Sequence, residues 1–108
     1  MRATAWNNGS HHASGAGYGL RVSGEDRDRY FDRDWSEVVF DLDGEVEARA
    51  TISDSFWRTC SELRSVGIGK WLRVRGLAPW PKGIPPTLEV RPAGGNRFNV
   101  LPPSPSNP

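Results

Sequence analysis

His11 and His12 are the residues best suited to do chemistry in this chain. They stand side by side in a stretch of small polar residues. Imidazole gains and loses a proton near neutral pH, so either ring is a candidate general acid or base. A small metal-independent hydrolase or nuclease working through His11 or His12 is therefore one reading. Adjacent side chains on an extended segment point to opposite sides, which argues against both rings serving one substrate atom or one metal ion. The plainer reading, which we favour, is a pair of surface histidines in a polar arm.

Other chemistry fares less well. Cys60 lies between Arg58 and Arg64, cations that would favour a reactive thiolate. Its apolar neighbours at helical spacing fit a buried structural thiol better. One Cys and two distant His make no metal ligand set. Calcium loops begun at Asp41 or Asp26 fail, because Val46 and Phe31 stand where the turn needs Gly. Gly15-Ala16-Gly17-Tyr18-Gly19 and Gly67-Ile68-Gly69-Lys70 lack the spacing of phosphate-binding loops. No cofactor and no metal are expected.

A binding surface is better supported. Basic and aromatic residues interleave at Trp57-Arg58, Lys70-Trp71, Arg73, Arg75, Trp80 and Lys82. Cations neutralise phosphates and exposed aromatic rings stack on bases. Trp57 and Trp71 read as core. Trp80 is bracketed by Pro79 and Pro81 in an irregular loop, and such loops lie on surfaces. The expected ligand-binding residues are Arg73, Arg75, Trp80 and Lys82, joined by Arg91 and Arg97. The leading function is a small binding module whose partner is nucleic acid or another anion. A third reading is a protein-interaction or self-association module, a monomer or homodimer in which Trp6 or Trp80 fills a partner's pocket.

These side chains must be positioned by few elements. The chain has 108 residues, enough for one core. A single Cys excludes an internal disulfide framework. No secretory signal pattern and no apolar run of membrane-spanning length appear, so a cytoplasmic protein without a membrane partner is expected. Net charge is +1, but unevenly spread: residues 25–47 hold ten carboxylates against three Arg, and residues 55–82 hold six Lys and Arg against one Glu. Two faces that attract each other within one domain account for this, as does a basic face turned towards an anion.

Three divisions are expected: a Gly/Ser/Asn-rich arm over 1–17, one α+β domain over 18–101, and a disordered Pro/Ser-rich tail over 102–108. Regular structure is not expected in the arm, though Trp6 should pack on the domain. Tyr18, Leu20 and Val22 alternate as a strand. Ser23 caps a short helix over Glu25–Phe31, held to the core by Tyr30, Phe31 and Trp35. Val38, Phe40 and Leu42 pair with Val46, Ala48 and Ala50 in a hairpin. A loop of Leu42-Asp43-Gly44 would set Phe40 against Val46 and Val38 against Ala48. From Ser53 the pattern turns helical, placing Cys60 and Leu63 on one face. Ser65 starts a second helix, with Ile68, Trp71 and Leu72 inward and Gly76 as its stop. Its Gly67 and Gly69 imply the close approach of a backbone or ligand. A last hairpin pairs Val90 with Phe98 and Leu88 with Val100, which sets Arg91 opposite Arg97, two like charges an anion would relieve. The order β-α-β-β-α-α-β-β predicts about five strands in an antiparallel or mixed sheet, open or curled into a partial barrel, on two or three short helices.

Ala5-Trp6-Asn7-Asn8-Gly9 with His11-His12, then Gly15-Ala16-Gly17-Tyr18-Gly19, Phe56-Trp57 with Cys60 and Glu62-Leu63, and Leu77-Ala78-Pro79-Trp80-Pro81-Lys82-Gly83 together resemble a group of small bacterial hypothetical proteins with no established activity. The resemblance covers nearly everything before the Pro-rich tail. It implies a free-standing bacterial protein and carries over no catalytic residue.

Overall fold

The computed structural model describes residues 1–58 and 61–103. Cys60 and the part of the expected tail from 104 onward lie outside the described residues. Along the chain come β1 (Arg2–Asn7), β2 (Tyr18–Arg21), α1 (Gly24–Tyr30), β3 (Glu37–Leu42), β4 (Val46–Thr51), α2 (Asp54–Arg58), β5 (Glu62–Arg64), α3 (Val66–Val74), β6 (Thr87–Pro92) and β7 (Arg97–Leu101). The strands form one sheet in the order β4-β3-β7-β6-β1-β2-β5. Its two end strands approach each other, so the sheet curls into a nearly closed barrel. The fold is α+β with a mixed sheet, as expected, and has two more strands than the pattern predicted.

Those two strands are corrections to the sequence reading. Arg2–Asn7 was expected to be irregular; it is β1, paired with β2 on one side and β6 on the other. Ala3 and Ala5 face the core while Arg2 and Thr4 face out, an alternation carried by side chains too small to stand out. Glu62–Arg64 was expected to be helical; it is β5, paired with β2, and only Leu63 points inward.

Both hairpins keep the predicted faces and slip by two residues. In the first, Leu42 pairs with Val46, Phe40 with Ala48 and Val38 with Ala50. The loop is Asp43-Gly44-Glu45. Asp43 and Gly44 both take positive φ, at 53° and 72°, and Glu45 N–H bonds to Leu42 C=O. The slip lets Leu42 enter the core instead of sitting in the loop. In the second hairpin Val90 pairs with Val100 and Pro92 with Phe98, so Arg91 faces Asn99 and not Arg97. The expected clash of like charges does not occur. β7 instead runs parallel to β3, Phe40 beside Phe98. Asn96 fastens that start: its side chain donates to Glu37 C=O and its own C=O accepts from Val39 N–H.

The helices follow their sequence signals closely. Ser23 caps α1 by accepting from Asp26 N–H at 3.1 Å. Phe31, at the end of α1, stacks on Phe98 and meets Phe56 of α2 edge-on, closing one region of the core with aromatic rings. Ile68, Trp71 and Leu72 of α3 are buried as predicted. Gly76 ends α3 in a Schellman arrangement: Gly76 N–H bonds to Arg73 C=O and Leu77 N–H to Leu72 C=O.

α3 packs on β2 and β4, elements near opposite ends of the strand order, and so lies across the gap in the barrel. Its two glycines permit this. A Cβ on Gly67 would sit 3.0 Å from Ala48 Cβ, and one on Gly69 would run into the backbone of Gly15. A Cβ on Gly15 would in turn come within 2.6 Å of Val66 O and 2.7 Å of Lys70 N. The expected close approach is therefore that of a backbone.

Gly69→Ala should lower the stability to urea by about 3 kcal/mol, because two backbones would have to part. Gly24→Ala is the control. Its new methyl group meets only the tip of Arg27, at 3.7 Å, and it should be neutral or stabilise by up to about 1 kcal/mol. Equal effects of the two changes would refute the close-approach account.

Candidate functional site

The loop joining β1 to β2 is held by its own side chains. The Asn7 amide nitrogen donates to Ser10 C=O and Gly17 C=O, and Asn7 Oδ1 accepts from Gly9 N–H. Asn8 Oδ1 accepts from Ser10 N–H. The Asn-Asn-Gly turn thus closes a loop that lies on α3 through Gly15 and Gly69. His11 sits where this loop meets the Pro-rich segment after α3.

Three rings meet there. His11 Nδ1 is 2.6 Å from the hydroxyl of the buried Tyr18. The His11 and Trp80 rings meet edge to face with centroids 4.7 Å apart, and Tyr18 meets Trp80 the same way at 5.7 Å. Arg73 of α3 reaches the His11 carbonyl through a long 3.5 Å contact. His12 turns away. Its Nδ1 lies 3.2 Å from Ser14 N and 2.7 Å from the Ser14 hydroxyl. The two histidines therefore do not share a site.

Beside Trp80 lie two hollows. One, of about 360 Å³, is lined by Asn7, Gly9, His11, Trp80, Lys82 and Gly83. The other, of about 300 Å³, adds Trp6, Arg21 and Pro85 to the shared Asn7, Trp80 and Gly83. They form one groove between the outer face of β1 and the loop over 80–86. A bond from Ala5 N–H to Pro86 C=O ties that loop to the strand. No Asp or Glu lines either hollow.

Trp6 was expected to pack on the domain, but the face it occupies, the outer face of β1, follows from strand pairing. On β1 it lies across from Gly19 of β2, which lies across from Arg64 of β5. With no side chain at Gly19, Arg64 reaches over it to within 4.8 Å of the Trp6 ring centre. A Cβ at Gly19 would also strike the Leu63 carbonyl. Arg21 stands next to Trp6 on the same outer face, with Glu62 at 3.7 Å.

The six expected ligand-binding residues are divided. Trp80 and Lys82 line the groove, and Arg73 touches its wall through His11. Arg75 is engaged elsewhere, paired with Asp43 at 2.6 Å and with Glu45, over the face of Trp71. This pairing joins the acidic and basic segments, the attraction their charges predicted. Arg97 bonds Glu47 at 2.9 Å, and Arg91 is exposed with Glu89 at 3.9 Å. No ion pair among the described residues engages Arg73, Lys82 or Arg64. No group of three or more His, Cys, Asp or Glu among the described residues is placed to hold a metal, and no described helix is long and apolar enough to cross a membrane.

No protein-family model, no curated protein and no solved structure matches the chain. The groove's chemistry must be read from its own residues.

Tyr18→Phe removes the partner of His11 Nδ1 and should cost about 1 kcal/mol in urea unfolding. An unchanged midpoint would show that this contact contributes nothing. The hydrogen bond and charge of Arg97 hold the Glu47 carboxyl below its ordinary value of 4.5. A lowered native value gives stability that is present above the ordinary value and lost as pH falls through the lowered one. Glu47→Gln should therefore lower the thermal midpoint slightly at pH 7, and the difference should vanish once acid protonates Glu47. A difference that persists in acid would assign it to packing.

Proposed function

We propose that the protein is a small binding module that holds an anionic partner, nucleic acid first, in the groove between Trp6 and Trp80. The observation that carries this reading is the lining itself: two indoles with Lys82 and Arg21, the latter paired with Glu62 from outside the groove, and no carboxylate within it. Rings at the edge of a cationic groove suit a ligand that alternates flat bases with phosphates. Arg64 and Arg73 add positive charge on either side. A cytoplasmic, bacterial setting and a monomeric or homodimeric state belong to the same proposal.

His11 supports a second reading. Tyr18 orients its ring at the groove wall, as a catalytic base is oriented by a third group. A hydrolase or nuclease would use His11 as acid or base on a ligand in the groove. Thr4 is the one hydroxyl residue in the lining, none of the described hydrogen bonds joins it to His11, and no Ser, Cys, Asp or Glu is there to help, so binding is the stronger reading. Turnover that survives replacement of both His11 and His12 by Ala would remove the enzyme.

Fluorescence anisotropy with a labelled oligonucleotide tests the binding reading. Affinity should fall linearly on a log–log plot against salt, and Lys82→Ala should reduce the slope by roughly 0.7. Arg97→Ala, two strands from β1, should leave it unchanged. Absence of salt-sensitive binding at low ionic strength would end the proposal.

A further inference from the structure

The groove's form and its hydrogen bonds narrow the ligand, on the reading just given. We infer that it takes a single strand of nucleic acid with little regard for sequence, one base against Trp80 and a neighbouring base at Trp6.

Two features select a single strand. Each hollow is about 300 to 360 Å³, at the lower limit for a small-ligand site, and the two share Trp80. They suit successive nucleotides of an extended chain. The groove is also walled by the segment from Trp80 to Pro85 on one side and by Trp6 and Arg21 on the other. Stacking on an indole needs a base whose face is free, and bases inside a duplex have both faces covered by their neighbours.

Two further features make the binding tolerant of sequence. Reading a base edge takes paired donors and acceptors, supplied by Asn, Gln, Asp, Glu or a forked Arg. The one carboxamide in the lining, Asn7, has its amide nitrogen committed to Ser10 and Gly17 and its oxygen to Gly9. Arg21, the one guanidinium in the lining, is drawn to Glu62 at 3.7 Å. His11 has one ring nitrogen committed to Tyr18. Stacking and charge are left as the main sources of affinity, and every base offers a flat face. Trp6 is already covered on one side by Arg64, so it offers its other side or its edge. The cation behind the ring places positive charge beside the adjoining phosphate.

The test uses fluorescein-labelled ten-nucleotide DNA strands at low ionic strength: oligo-dT, oligo-dA, a mixed sequence, and the mixed sequence as a blunt duplex. The three single strands should bind within about fivefold of one another and quench tryptophan fluorescence. The duplex should bind at least tenfold more weakly. Trp80→Ala should weaken single-strand binding by roughly 5- to 150-fold, the range found for loss of one stacked base, without changing the salt slope. Trp80→Phe keeps a flat ring and should retain most of the affinity, and it answers the question if the Ala variant fails to fold. A duplex that binds as well as the single strands, or a preference above tenfold among the strands, overturns this inference and leaves the anion-binding reading standing. No binding to any probe overturns both.

Discussion

The backbone of Gly15 lies against the backbone of Gly69, and the arrangement around the groove follows from that contact. No side chain other than hydrogen fits at either position. Because the β1–β2 loop can lie directly on α3, His11 is carried to the place where Arg73 meets its carbonyl and Tyr18 its ring. The same helix ends about two turns later at Gly76, which redirects the chain into the segment bearing Trp80. One helix therefore positions both partners of the His11–Trp80 contact, one through its surface and one through its end. The glycines lower the intrinsic helical preference of α3, a cost offset by burial of Ile68, Trp71 and Leu72 across the gap in the barrel.

Charge is arranged by the same geometry. The acidic hairpin at Asp43 and Glu45 meets Arg75, and Glu47 meets Arg97. These pairs are substantially exposed and add little to stability. Their consequence is distributive. They neutralise cations on the β3–β4 side, while Lys82, Arg64 and Arg73 keep their charge near β1 and the Pro-rich loop. Among the described ion pairs, those three cations have no partner.

Much of this was legible from residue patterns, within limits set by what those patterns encode. The caps at Ser23 and Gly76 are local chemistry, and both formed where expected. Alternation told which side chains face inward but left register open, since a shift of two residues keeps every face. In the observed pairing Leu42 is fully buried opposite Val46. β1 escaped notice because Ala3 and Ala5 are weakly apolar, and β5 because one inward Leu63 makes no period. For the groove, the two prolines around Trp80 marked the irregular loop that bears it, but the expected exposure is only partial: the ring is half-buried against the core, His11 and Tyr18. The grouping of Trp6, Arg21 and Arg64 was not legible, because only the pairing through Gly19 brings them together. The commitment of Arg75 to Asp43 was equally invisible, the partners being 32 residues apart.

The position of β1 bears on how the protein is made. β1 can pair with β2 as soon as both leave the ribosome, but its other neighbour begins at Thr87, and Arg2 finally faces Glu89. At about 5 to 20 residues per second, translation leaves that edge without a partner for several seconds. During that interval the nascent hairpin presents an open hydrogen-bonding rim to any extended chain nearby, including a neighbouring copy on the same message.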